Sequence, residues 1–210
     1  MSSVSHSIRD ELAGIGIFIG AIWAVFLLSL AVPSLNLNSY GIQPRTMSGL
    51  VGIAAAPFLH ENLGHILSNT VPLFILLVLL AGSQARSWAV VIDIVLLGGG
   101  LLWLFGRPAY HIGASGLVFG LITFLITSGF LERRIIPLLI SLVVGFWYGG
   151  TLVFGVLPRL HSDVSWDGHL CSAVAGIIVA YALARQPGKQ TAESHFSPGE
   201  SMASEAPDAQ

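Results

Sequence analysis

The sequence predicts an all-α, polytopic membrane protein of six transmembrane helices, on three observations. Of its 210 residues, 54% are hydrophobic and only 10% charged. The mean hydropathy is +0.79. Six apolar runs are each long enough to cross a hydrocarbon core of ~30 Å, which takes roughly 17 to 25 helical residues. Soluble domains carry about 25% charged residues, so a water-soluble globule is excluded. The 24 glycines fit the same class, because membrane helices associate through small residues that let backbones approach. The single cysteine, Cys171, allows no internal disulfide, and no Cys/His spacing marks a structural metal site. A net charge of −2 provides no basic patch, so nucleic acid is not an expected partner.

The first span, residues 12–32, is 21 uncharged residues long. That exceeds the apolar core of a secretory signal, and Ala31-Val32-Pro33 is a poor cleavage site, so it reads as a retained anchor. Residues 33–64 form the longest connection. They are rich in Gly, Ala, Leu and Phe, which predicts a loop lying partly in the membrane interface. The remaining spans are 66–82, 88–105, 112–131, 135–157 and 168–184. The chain thus divides into an N-terminus of residues 1–11, a six-helix membrane domain of 12–184 and a tail of 185–210. From residue 186 onward the tail holds one Lys against four acids, a composition that cannot bury enough apolar surface to fold. No internal repeat supports an inverted-repeat transporter.

An even number of spans puts both termini on one side. That side collects Arg9, Arg86, Arg133, Arg134, Arg185 and Lys189, whereas the other has Arg45, Arg107 and Arg159. The excess places both termini in the cytoplasm.

Ionisable and strongly polar groups inside a span are costly, so each is a candidate functional residue. They are His65, Asn69, Asp93, Ser115 and His169. His65 and Asn69 are four apart and share one helix face. Ser115 lies a few residues into span four, roughly 5 to 8 Å along its axis, and His169 opens span six. With termini inside, all four sit at one shallow depth below the outer surface. Gly116 and Gly120 after the serine, and Ser172 and Gly176 after the histidine, supply the small faces through which spans four and six can approach. Asp93 lies at a different depth and is expected to serve as a structural partner to another helix. Cys171 reads as packing, His6, His111, His161 and His195 as solvated side chains, and His60 as a structural hydrogen bond in the first loop.

These residue types specify a chemistry. A serine hydroxyl becomes a competent nucleophile when an imidazole accepts its proton, and the oxyanion that follows needs donors placed in advance. Ser115 and His169 form the dyad. His65, the Asn69 amide and the Ser115 N–H at a helix N-terminus are the donors. Asp167 is a poor third member, because residues two apart do not face each other on a helix; it is expected to cap span six.

Together the motifs resemble the rhomboid family of intramembrane serine proteases. The matching pieces are His60-x4-His65-Ile66-Leu67-Ser68-Asn69, Gly113-Ala114-Ser115-Gly116 with Phe119 and Gly120, and Gly168-His169 with Gly176; Gly41-Ile42-Gln43-Pro44-Arg45 resembles a first-loop motif of bacterial members. The resemblance implies a six-helix rhomboid-like bundle with Ser115 as nucleophile and His169 as base. It implies His65 and Asn69 as the oxyanion pair, Phe119 beside the histidine, and Gly113 and Gly116 in support. It also implies transmembrane proteins as substrates, the lipid bilayer as the setting, a bacterial cytoplasmic membrane, and no metal or other cofactor. Ser172 stands where many members carry Gly.

Two other readings compete with this one. A catalytically silent relative that binds client helices would keep the fold without the chemistry. A zinc protease is disfavoured although His60-Glu61-Asn62-Leu63-Gly64-His65 resembles His-Glu-x-x-His. The zinc motif needs its histidines four apart; here they are five apart, about 140° around a helix axis.

Overall fold

The structure, a computed structural model, describes residues 8–84, 86–132, 134–158 and 165–185. The expected disordered tail, the first seven residues, His6, His161 and His195 lie outside the described residues. Six helices among them are long and apolar enough to span a membrane. They are α1 (Ile8–Ala31), α3 (Leu63–Ser83), α4 (Ser87–Phe105), α5 (Ser115–Glu132), α6 (Ile135–Val156) and α7 (Trp166–Ala184), with the short α2 (Val51–Ala55) in the first loop. The six-helix expectation holds, and the chain is a multi-pass membrane protein.

Boundaries shift for local reasons. The α3 helix begins at Leu63, ahead of the expected residue 66, because Asn62 caps it: its Oδ1 accepts the His65 N–H at 2.9 Å. Such a cap contributes about 1 kcal/mol. In contrast α5 begins only at Ser115, not at residue 112. Gly113 has φ +108°, a backbone conformation that a helix cannot pass through and that side-chain-bearing residues rarely adopt. Ser115 therefore sits at the very start of its helix rather than several ångströms along it.

The α5 helix is the central pillar. In its apolar window 61% of residues are buried, against 11% in α6, so lipid surrounds α6 while protein surrounds α5. It packs most extensively on α7, through the small residues the sequence offered. A Cβ on Gly116 would lie 3.0 Å from Ser172 Oγ, and one on Gly98 of α4 2.7 Å from the same atom. Ser172 thus fills the space facing two glycines on two helices. Thr123 Oγ1 adds a bond across the interface, donating to the Ala173 carbonyl at 2.8 Å.

The first loop ties itself to the segment that delivers Ser115. Ile42 and His111 form an antiparallel bridge, and the Gly113 N–H donates to the Ala56 carbonyl at 2.9 Å. Arg45, with φ +59°, donates its guanidinium to the Leu104 and Gly106 carbonyls at 3.2 and 2.8 Å. It so satisfies acceptors left open at the C-terminal end of α4.

Candidate active site

The chain's two end-of-helix geometries meet at the dyad. Ser115, opening α5, and His169, in the first turn of α7, are joined by a hydrogen bond of 2.9 Å between Oγ and Nε2. On the opposite edge of the ring, Nδ1 lies 3.0 Å from the Gly155 carbonyl. A carbonyl only accepts, so Nδ1 carries the proton and Nε2 is left free to accept from the serine hydroxyl. Gly155 is in the last turn of α6, where carbonyls have no partner within the helix. Phe119, one turn beyond Ser115, stacks flat on the imidazole, with ring centroids 4.0 Å apart and planes at 4°. The His169 ring is therefore held on two edges and one face.

Around Ser115 the donors also converge. His65 and Asn69 lie on one face of α3, and Asn69 Nδ2 donates one hydrogen to the His65 carbonyl at 3.0 Å, leaving the second for another acceptor. A Cβ on Gly113 would come 2.5 Å from His65 Nε2 and 3.7 Å from Asn69 Nδ2. His65 thus presses on the backbone two residues before Ser115, with Asn69 in ordinary contact beside it, and glycine leaves the imidazole room. The first N–H groups of α5, including that of Ser115, have no acceptor within their helix. His65, Asn69, Ser115 and His169 all line one open cleft of about 710 Å³, with Asn38 and Glu61 at its rim. An alcohol poised to give up its proton, facing hydrogen-bond donors in a cleft open to water, is a geometry suited to acyl transfer.

Several features were not legible in the sequence. No side-chain pattern marks the Gly155 carbonyl as an acceptor, because every residue has one. His111 is not solvated: it is buried, with Nδ1 2.6 Å from Ser165 Oγ and Nε2 3.1 Å from the Arg107 carbonyl. Asp167 does not cap α7. It lies inside the first turn, and its carboxylate accepts from the Arg107 backbone N–H at 2.8 Å and from the guanidinium at 3.1 and 3.3 Å. The capping position belongs to Ser165, whose side chain makes no cap bond. Asp93 is exposed and has no helix partner among the described residues.

The expected structural bond at His60 is present. The buried ring accepts the Ala114 N–H at Nε2, at 3.4 Å, and packs edge-on to His65 with centroids 5.0 Å apart. Burial, with the nearby His65, holds its pKa down at about 4, from an ordinary 6.5. Because the folded value is the lower one, the unfolded chain takes up the proton first as pH falls. This contribution is fully present above about pH 6.5 and is lost between there and about pH 4. It amounts to on the order of 3 kcal/mol. Unfolding in mild detergent should therefore be more acid-sensitive in the native protein than in His60→Gln, whose amide oxygen can still accept from Ala114; superimposable pH profiles would contradict this.

Comparison with known proteins identifies the family. The profile of the rhomboid domain matches residues 47–186, from the first loop through the end of α7. The chain belongs to the rhomboid family. A Mycobacterium tuberculosis protein described as uncharacterised is 42% identical to this rhomboid over 186 residues, covering 83% of this chain and 76% of its own. A similar protein of Mycobacterium leprae is 40% identical over 167 residues, covering 75% and 65%. A protein of Acanthamoeba polyphaga mimivirus that carries the rhomboid name is 27% identical over 140 residues, covering 63% and 75%. Membership makes the chain an intramembrane protease or a non-proteolytic relative of one, and the mycobacterial relatives fit a bacterial origin.

Proposed function

We propose that the protein is an active serine endopeptidase that hydrolyses peptide bonds in or beside transmembrane segments. The observation that carries this reading is the 2.9 Å bond from Ser115 to a His169 ring whose far nitrogen is already committed to Gly155. In this reading Ser115 Oγ attacks the scissile carbonyl carbon while its proton passes to His169 Nε2. The imidazolium is steadied by the Gly155 carbonyl and the face of Phe119. The oxyanion takes its hydrogen bonds from the Ser115 N–H, His65 and Asn69. Collapse returns the proton from His169 to the leaving amine, and water entering through the open cleft hydrolyses the ester by the same steps in reverse roles.

The substrate follows from the setting. A transmembrane helix hides its carbonyls in its own hydrogen bonds, so only a helix that unwinds locally can present one to Ser115. A cavity that Ser115 lines together with Ile94, Leu102, Gly116 and Ser172 offers a place for a substrate side chain beside the scissile bond. The protease unit is residues 12–184, in a bacterial cytoplasmic membrane with both termini inside and the cleft opening outward. The basic residues gathered on the terminal side support that orientation.

The test is a designed membrane-spanning substrate in two forms, one all-leucine and one with a Gly-Ala break near the outer surface, incubated with the protein in vesicles. The broken helix should be cut at the break in the presence of a chelator, and the all-leucine helix spared. A chelator-sensitive cut, or none in either helix, would overturn the proposal. Gly113→Ala offers a second check. The added methyl demands an unfavourable φ and meets His65, so kcat should fall by roughly 10² to 10³, the loss seen when one oxyanion donor is displaced. A kcat within a few-fold of the native protein's would contradict that placement.

A further inference from the structure

Among the described residues, Asp93 is an acidic side chain well inside a span that the proposed chemistry does not use. It sits six residues after the start of α4, roughly 9 Å along the axis. That is well inside one leaflet, and the short side chain cannot reach back to the interface. Acidic residues at the ends of other spans have partners. Glu11 accepts from Ser87 at 2.7 Å, Glu132 from Gln84 at 2.6 Å, and Asp167 from Arg107. Asp93 has no such contact among the described residues, and it is exposed on a face with Ile92 and Leu96, which are 55% and 54% exposed. Gly100 lies seven residues further on, two turns along the same face, and a Cβ there would meet nothing within 4 Å. The face is therefore open, flat enough for a close helix approach, and carries one acceptor in hydrocarbon.

We propose that this face of α4 docks a transmembrane helix of another protein, one that places a basic side chain against Asp93 in the leaflet entered by the α4 N-terminus. The complementarity is specific in sign and depth. An acidic side chain facing acyl chains is costly, no described residue of this chain relieves that cost, and a cation on an incoming helix would relieve most of it. Leu96 and Gly100 would then pack against the apolar remainder of the incoming helix. The inference stands apart from proteolysis: it concerns the lipid-facing side of α4 and does not use Ser115 or His169.

The experiment is energy transfer between the full-length protein and synthetic helices in phosphatidylcholine/phosphatidylglycerol vesicles. A polar tag fixes the orientation of each helix. One leucine-rich helix carries a single Lys at the depth of Asp93; its controls carry Gln there, Leu there, or Lys in the opposite leaflet. The matched Lys helix should associate about tenfold more tightly than the Leu helix, the effect of one buried polar contact between membrane helices. Asp93→Leu and Asp93→Asn should both remove that preference while phosphonate labelling of Ser115 stays unchanged. Equal binding of all four helices, a Gln helix as good as the Lys helix, or a Lys preference that survives Asp93→Leu would overturn the proposal. So would self-association of the protein that Asp93→Leu abolishes, which would give the face to a second copy.

Discussion

Ser115→Ala and His169→Ala are each expected to reduce cleavage of the designed substrate by at least ~10⁴-fold, with the double variant no worse than either single one. The reason is that the two side chains act as one unit. Without the imidazole the hydroxyl keeps its proton, and without the hydroxyl the imidazole has nothing to activate. Ser115→Ala should leave the fold intact, since the hydroxyl lines the open cleft. His169 is buried against Phe119 and Gly155, so its truncation should cost some stability without unfolding the protein. Folding can be followed by gel filtration and by unfolding in detergent. Independent losses that multiply in the double variant would mean that the 2.9 Å contact is not the reacting pair. Binding of a client helix that persists while no cleavage occurs even in the native protein would favour the silent relative.

The second large effect concerns packing. In Gly176→Val the new side chain would meet the Gly120 backbone carbonyl and Thr123 Oγ1. A backbone carbonyl inside a helix cannot yield, so α7 must move away from α5. The expected loss is about 3 kcal/mol or more, at the upper end for overpacked sites. Because the same displacement draws His169 away from Ser115, activity should fall along with stability. Gly145→Val is the control: nothing lies within 4 Å of a Cβ there, and its cost should stay within roughly 0.5 kcal/mol. Equal tolerance of the two substitutions, measured by unfolding in detergent, would contradict the account of how α5 and α7 are joined.

That contrast also explains what could be read in advance. Helix count and the pairing of α5 with α7 were legible, because length, hydropathy and the spacing of Gly116, Gly120, Ser172 and Gly176 are properties of side chains along one chain. His65 and Asn69 were legible as a shared face for the same reason. Where Ser115 stands in its helix was not, since it depends on the backbone sign of φ at Gly113. Nor were the contacts that orient the site from outside: Gly155 offers only a main-chain oxygen, and the pairing of Asp167 with Arg107 joins segments 60 residues apart. His111 looked solvated because nothing local reveals that Ser165 will come to lie against it. Asp93 was expected to be partnered on general grounds of cost, and its exposure follows from the side of α4 that no other described helix covers.

The most direct test of the account is covalent. The protein in its native membrane is treated with a fluorophosphonate and digested, and the modified peptide is identified by mass spectrometry, for the native sequence and for His169→Ala. The account predicts an adduct on Ser115 in the native protein, formed equally well with a chelator present, and almost none in His169→Ala. A native Ser115 that stays unmodified, or equal labelling in the two proteins, would contradict it.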